Sequence, residues 1–377
     1  MEESATVSAE VLNDFAISLY RNSAASSESL CVSPTSVMLA LAMVFYGAAG
    51  KTKTQIRQAL FGSSLMEDQI QPYLAKLVFE INKKDKSFVL DVANRVYSAE
   101  NFKISKSYSN TIQKDLHASI VPVNFSNVES TVGQINKWVA DSTHNKIKEI
   151  ISAESINPLT RLVVLNAIYF QSQWLKVFSP EETTKMKFYV SSSKNCEVDM
   201  MFQKDYFLYA ENDEFQVLVL KYLNSVISMN IFLPKEKFGL ENLEQSLTAN
   251  KLKSLMNSVH RIEVLVKVPK FKLESDVRLK DVLMTMGITD IFTLEADLSG
   301  ITESRELYVS EAKHKTSIEV DEMGTKAAAV TGFEMVAMSA LIEREPVVFT
   351  ADHPFMFIII DNRYKNILFI GRYIGQS

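Results

Sequence analysis

The motif that looks most like a chemical site in these 377 residues is GAAGKT, Gly47 to Thr52, with the Gly-Lys-Thr ending of a phosphate-binding loop. Such a loop needs another glycine at position 45, so that bare backbone N–H groups can wrap the phosphate oxygens; that position is Phe45. The stretch reads instead as the end of a helix followed by a turn. The five histidines, His117, His144, His260, His314 and His353, are scattered, and none has metal-ligand spacing. No nucleophile-elbow serine, zinc-helix motif or dinucleotide fingerprint is present. A dispersed Ser-His-Asp site would leave no motif, so this absence lowers the enzyme reading without removing it. The two cysteines, Cys31 and Cys196, are too few for a disulfide scaffold. Cys31 lies in an apolar run and reads as a small buried hydrophobe rather than a nucleophile.

Across the whole chain, 47% hydrophobic and 23% charged residues describe a folding globular protein with a large core. The formal net charge of -5 implies no general nucleic-acid or anionic-membrane surface. Lys83, Lys84 and Lys86 cluster, but Asp85 interrupts them, and a solvated turn accounts for them. No apolar run is long enough to span a bilayer. The start, MEESATVSAEVLNDFAISLY, is acidic and lacks the basic start and apolar block of a signal peptide. The expected location is the cytoplasm or a leaderless route of export, and the extracellular space if the chain is a mature form. Asn124-Phe125-Ser126 is a glycosylation sequon of little weight.

The elements that would position any site come in mixed order. Val11, Leu12, Phe15, Leu19 and Tyr20 fall on one helical face. SPTSVMLALAMVFYG has a capping Ser33, a Pro34 suited to the first helical position and a terminating Gly47. A third helix is expected over about Asn127 to Thr143, with Val128, Val132, Ile135, Trp138 and Val139 on one side. RLVVLNAIYF is apolar in both alternating phases, as in a strand covered on two faces. Its Asn166 breaks the pattern; a buried amide needs partners, which predicts a polar network around it. SFVLDVANRVYS, FQVLVLKYL, SVISMNIFLP, RIEVLVKVPKF, HPFMFIIID and KNILFIGRYI are further strands. No linker or composition break appears, so the expectation is one α+β domain over residues 1–377 with large mixed or antiparallel sheets.

Gly324 to Pro346 is longer than most loops of a compact domain, which marks it as functional or disordered. Laid on a strand, Thr325, Ala327, Ala329, Thr331 and Phe333 share one small or apolar face, while Lys326 and Glu334 lie on the other. That inner face could slide between existing strands. A plain strand followed by a surface loop has the same pattern.

Read with its neighbours, EAKHKTSIEVDEMGTKAAAVTG closely resembles the hinge of the serpins, the serine-protease-inhibitor superfamily, and the leaderless ovalbumin-like type in particular. SPTSVMLALAMVFYGAAGKT, NFSNVESTVGQINKWVADSTHNKI, LVVLNAIYFQSQW, VPKFKLESDVRLKDVLMTMGITDIF, EADLSGI and FTADHPFMFII with ILFIGRY resemble further family blocks, in the family's order and nearly end to end. The resemblance implies three β-sheets, about nine helices and an exposed reactive-centre loop at about 324–346. It also implies a bait mechanism, in which a protease cleaves the loop, the loop inserts as a new strand in the largest sheet, and the acylated protease is trapped. Such a native state must be metastable.

Carried over residue by residue, Glu322, Gly324, Thr325, Ala327, Ala328 and Ala329 resemble the hinge. The family's inhibitory spacing from Glu322 places the reactive bond at Met338-Ser339. Ser33, Ser36, Asn166 and His314 resemble a polar cluster under the opening strands. Trp174, Lys270 and Glu322 resemble residues near the top of the opening sheet. The stretch between Met338 and ADHPF is a few residues longer than in many relatives, which leaves Leu341 or Arg344 as alternative attack sites. Val330 stands where alanine or serine is common.

The resemblance thus implies a suicide-type inhibitor of chymotrypsin-like serine proteases. An unbranched apolar Met338 suits pockets of the chymotrypsin, cathepsin G or elastase kind. Attack at Arg344 would point to trypsin-like targets. The alternative is a non-inhibitory serpin acting as carrier, store or chaperone, often with a charged or bulky residue where this chain has Thr325. The implied partner is a target serine protease held covalently by a monomeric inhibitor, without nucleic acid or membrane. No cofactor is implied, and no basic helix face suggests a glycosaminoglycan.

Overall fold

The computed structural model describes residues 2–24, 28–62, 65–81, 87–325 and 345–375, with the side chains of residues 2–11 and of residue 224 excepted. In chain order the elements are α1 (Glu2–Ser23), β1 (Leu30–Val32), α2 (Pro34–Gly47), α3 (Gly50–Phe61), α4 (Glu67–Ile81), β2 (Phe88–Ala99), α5 (Lys106–Leu116), β3 (Ser119–Val123), α6 (Val128–Ser142) and β4 (Leu162–Gln173). Next come β5 (Thr184–Tyr189), β6 (Asn195–Glu211), β7 (Phe215–Lys221), β8 (Ile227–Pro234), α7 (Leu240–Ser246), α8 (Ala249–Ser258), β9 (His260–Pro269), β10 (Phe271–Arg278), α9 (Leu279–Thr285), β11 (Val309–Asp321), β12 (Gly324–Thr325), β13 (Val347–Thr350), β14 (Phe355–Asp361) and β15 (Asn366–Tyr373). The chain forms two compact units. The first is Met1–Phe170, Leu273–Ile318 and Arg363–Gly371; the second is Gln171–Lys272, Glu319–Asn362 and Arg372–Ser377.

In the first unit, α2 is the central buried helix. Ser33 caps it by accepting from the Ser36 N–H, Pro34 opens it, and all of its residues except Tyr46 are buried. Each buried Val, Leu, Met or Phe of the helix contributes about 1.5–3 kcal/mol by leaving water. Gly47 ends the helix, as expected, but no plain turn comes after it. Ala48 and Ala49 lead straight into α3, which starts at Gly50 inside the phosphate-loop lookalike. A Cβ on Gly47 would lie 2.1 Å from Ile301 Cγ1, so the glycine is there for close packing rather than for a phosphate. α6 covers Val128–Ser142, close to the expected span; Ile135 and Val139 are buried with Thr131, whereas Val128, Val132 and Trp138 are only half-buried.

β4 and β11 run parallel and pair directly from Leu162 and Val309 to Tyr169 and Ser317. β4 is buried along almost its whole length, as its unbroken apolar run predicts. β2 lies between β4 and β3 in the same sheet, and β10 flanks β11 on the other side.

In the second unit the strand order is β14-β8-β7-β6-β9-β13, with β5 also on β6. The 17 residues of β6 serve two groups of strands: Asn195 to Met200 pair with β5, Met200 to Tyr209 with β9, and Leu208 to Glu211 with β7. Two of the three expected sheets are therefore fused through one long strand. β12 pairs antiparallel with the end of β11 on one side and the end of β4 on the other.

Candidate functional site

Two polar clusters gather the residues singled out by sequence. In the first unit Ser33, Ser36, Asn166 and His314 meet, all fully buried. The backbone N–H of Ser33 donates to His314 Nε2 at 2.9 Å, which leaves Nδ1 as the nitrogen carrying the proton. Nδ1 faces Asn166 Oδ1. The Asn166 amide nitrogen donates to the Ser36 carbonyl at 3.0 Å, and also faces Ser36 Oγ and Asn94 Oδ1. Ser33 Oγ donates to the Leu368 carbonyl at 2.6 Å. The network is neutral throughout: burial drives His314 from 6.5 down to about 3, only partly offset by its bond to Asn166. It supplies the partners that a buried Asn166 requires and lies on the directly paired stretch of β4 and β11, where His314 is in register with Asn166.

In the second unit Trp174, Lys270, Glu322, Gly324 and Thr325 meet at the ends of β4 and β11. Asp321 Oδ1 accepts from the N–H groups of Met323 at 2.9 Å and Gly324 at 3.1 Å, which folds the chain back on itself. Burial raises the Asp321 carboxyl while those two N–H groups pull it down; the net shift is upward. Glu322 pairs with Lys270 Nζ at 2.9 Å and accepts from Thr183 Oγ1 at 2.9 Å. Burial alone would raise Glu322, but Lys270 and Thr183 outweigh it and hold the carboxyl below its ordinary range. The Trp174 indole donates to the Asp321 carbonyl at 3.0 Å, and its backbone N–H to the Met323 carbonyl at 2.9 Å.

Gly324 has φ +148°, and a Cβ there would lie 2.2 Å from the Ser172 carbonyl oxygen. Only glycine fits. Thr325 comes next, with 0% exposure, opposite Ser172 and Val320. Ala327, Ala328, Ala329, Val330, Met338, Ser339, Leu341 and Arg344 lie outside the described residues, as do Lys83, Lys84 and Lys86.

The serpin (serine protease inhibitor) family model matches residues 10–375. This chain belongs to the serpin family. It is 38% identical to the leukocyte elastase inhibitor of Xenopus laevis over 92% of this chain and 93% of that protein. It is 32% identical to human neuroserpin over 99% of this chain and 92% of that one. The crystal structure of Serpin48, a highly specific serpin of the insect Tenebrio molitor, superimposes with a TM-score of 0.88 at 30% identity, covering 98% of both chains. The α+β serpin fold expected from the sequence is thus the fold observed, and the family is one of protease inhibitors. Among the described residues no helix is long and apolar enough to cross a membrane.

Four residues of the two clusters carry no assignment from the sequence: Asn94, Thr183, Asp321 and Tyr222, whose hydroxyl lies 2.7 Å from Thr325 Oγ1. Asn94 alone leaves a signal, as a second amide within a strand. Cys31 is buried, with its thiol pushed up to about 12 by burial, which fits a packing role.

Proposed function

We propose that this serpin is a trapping inhibitor of chymotrypsin-like serine proteases, with its reactive-centre loop at 324–346 and its reactive bond at Met338-Ser339. The protease serine oxygen attacks the Met338 carbonyl. The amide to Ser339 breaks, the Ser339 nitrogen leaves with the proton taken from that serine, and an ester joins Met338 to the enzyme. Insertion of the freed segment from Thr325 through Ala327, Ala328 and Ala329 then carries the ester away from the catalytic machinery before water cleaves it.

One observation carries this reading: Thr325 is already a buried, uncharged strand residue, antiparallel to both β11 and β4. A continuing strand needs that direction and that inward face. The elastase-inhibitor relatives support an apolar attack residue. β4 and β11 each begin in one compact unit and end in the other, which supports treating residues 1–377 as one inhibitor domain. Ser33, Ser36, Asn166 and His314 are assigned to holding β4 and β11 closed, and Trp174, Lys270 and Glu322 to fixing the hinge. No cofactor enters the reaction.

The test mixes the protein with chymotrypsin, neutrophil elastase, cathepsin G and trypsin, with denaturing gels and mass analysis of the released peptide as readouts. A denaturant-resistant complex with a peptide beginning at Ser339 is expected. A peptide beginning after Leu341 or Arg344 would move the bond. Cleavage by all four without complex, and no rise in melting temperature afterwards, would support the carrier, storage or chaperone reading instead.

A further inference from the structure

Tyr222 belongs to none of the roles assigned above, yet it touches the hinge directly. Its hydroxyl lies 2.7 Å from Thr325 Oγ1, with both residues fully buried. Its ring stacks on Trp174 at 4.4 Å and 17°. Its backbone is fixed as well: the Tyr222 N–H donates to the Ile227 carbonyl at 3.0 Å, and the Leu175 N–H donates to the Lys221 carbonyl at 2.9 Å. The hydroxyl therefore sits on a rigid platform.

Thr325 has ordinary alternatives. A threonine leaving a strand can hydrogen-bond water with its hydroxyl and stay outside. Here the hydroxyl has left water, and Tyr222 supplies the partner that makes this tolerable. Valine at 325 would bury as well but would lack this bond and be held less firmly.

We propose that Tyr222 is the positioning residue of the hinge: its hydroxyl keeps Thr325 docked between β11 and β4 in the resting inhibitor, so insertion starts from a sheet already parted at its end. This rests on the inhibitory reading only for its consequence. The docking is a property of the free protein.

The test is site-resolved hydrogen exchange on the free, full-length protein, read at the Trp174 amide, whose N–H donates to Met323 in the docked hinge. Tyr222→Phe and Thr325→Val should each speed that exchange by about 5-fold, the loss of one buried hydrogen bond. The double variant should exchange no faster than either single one, because all three lack the same bond. Thr325→Ser keeps the hydroxyl and should exchange like wild type, and amides within β8 should not change in any variant. With a target protease, Tyr222→Phe should raise the fraction of inhibitor cleaved without trapping. Single variants that exchange at the wild-type rate, or a double variant whose effects multiply, overturn the proposal. A wild-type protein that traps no protease, yet shows the same exchange pattern, overturns the inhibitory reading and leaves the docking intact.

Discussion

The two polar clusters solve opposite problems. The one around His314 is neutral, with Ser33, Ser36, Asn166 and His314 fully buried and bonded to one another and to the backbone of Ser33, Ser36 and Leu368 where β4 and β11 pair directly. The one around Glu322 mixes an ion pair, backbone carbonyls and a carboxylate-held turn, and Lys270 keeps 37% of its side chain in water. A neutral, dry network comes apart at high cost, because each buried group released must find a new partner. In the other cluster the Lys270 end of the ion pair reaches water, so that pair is the part salt can screen. The two clusters thus differ in what holds them: one depends on buried neutral partners, the other includes a charge at the edge of water.

The largest expected effect comes from breaking the entry point with charge. Thr325→Arg places a cation at a position with 0% exposure, a cost of several kcal/mol (about 3 or more) without a partner. Gel assays with a cleaving protease should show cleavage at the wild-type bond and no stable complex. Wild-type trapping by this variant would mean that Thr325 does not lead the insertion.

Acid separates the two clusters in sequence. His314 is held neutral, with its folded value near 3 against 6.5 unfolded, so its contribution is complete above pH 6.5 and is lost as pH falls from 6.5 towards 3. Below 6.5 the loss is about 1 kcal/mol per pH unit. Glu322 is shifted below its ordinary 4.5, so its own contribution fades only below that value. Melting curves between pH 7.5 and 4 should therefore fall first through the His314 cluster. His314→Gln should flatten the slope between pH 6.5 and 5; an unchanged slope would place the titrating group elsewhere.

The smallest effect is expected for Glu322→Gln. It keeps an acceptor for Thr183 and removes only the charge facing a partly solvated Lys270, so stability should change by about 1 kcal/mol or less. Added salt should narrow the difference from wild type. A drop several times larger, measured by denaturant unfolding, would show the ion pair to be as critical as the buried network.

Much of the fold and of the two clusters is legible along the chain where chemistry is local. Ser33, Pro34 and Gly47 punctuate α2 as their types dictate, and Asn166 announces a network because an amide in an apolar strand must be satisfied. Thr325 falls on the buried face that its strand phase assigns. The rest depends on partners far away in sequence: Tyr222 meets Thr325 across 103 positions, and Thr183 meets Glu322 across 139. Neither residue type is unusual where it stands. β6 is hidden for another reason. It changes partners along its length, so its exposed and buried positions never settle into one alternation. The start of α3 is masked by GAAGKT, whose glycines suggest a phosphate loop although Gly47 serves packing.

The reversal at Asp321–Gly324 also acts as an index. Only Glu322 and Met323 separate the paired residues Asp321 and Gly324, so a strand growing from this turn cannot choose its alignment. A slip of one position would turn Thr325 and every later residue to the opposite face. Thr325 is set against Val320 and Ser172. Counting six positions onward from Thr325, and six back from each of those two, brings Thr331 opposite His314 and Asn166. In the inserted state proposed above, a hydroxyl side chain would thus arrive, on the inward phase, at the pair assigned there to holding β4 and β11 closed. The turn would measure out the chain so that the bolt of the closed sheet becomes the socket of the filled one, and a crystal structure of the cleaved protein would read that alignment directly.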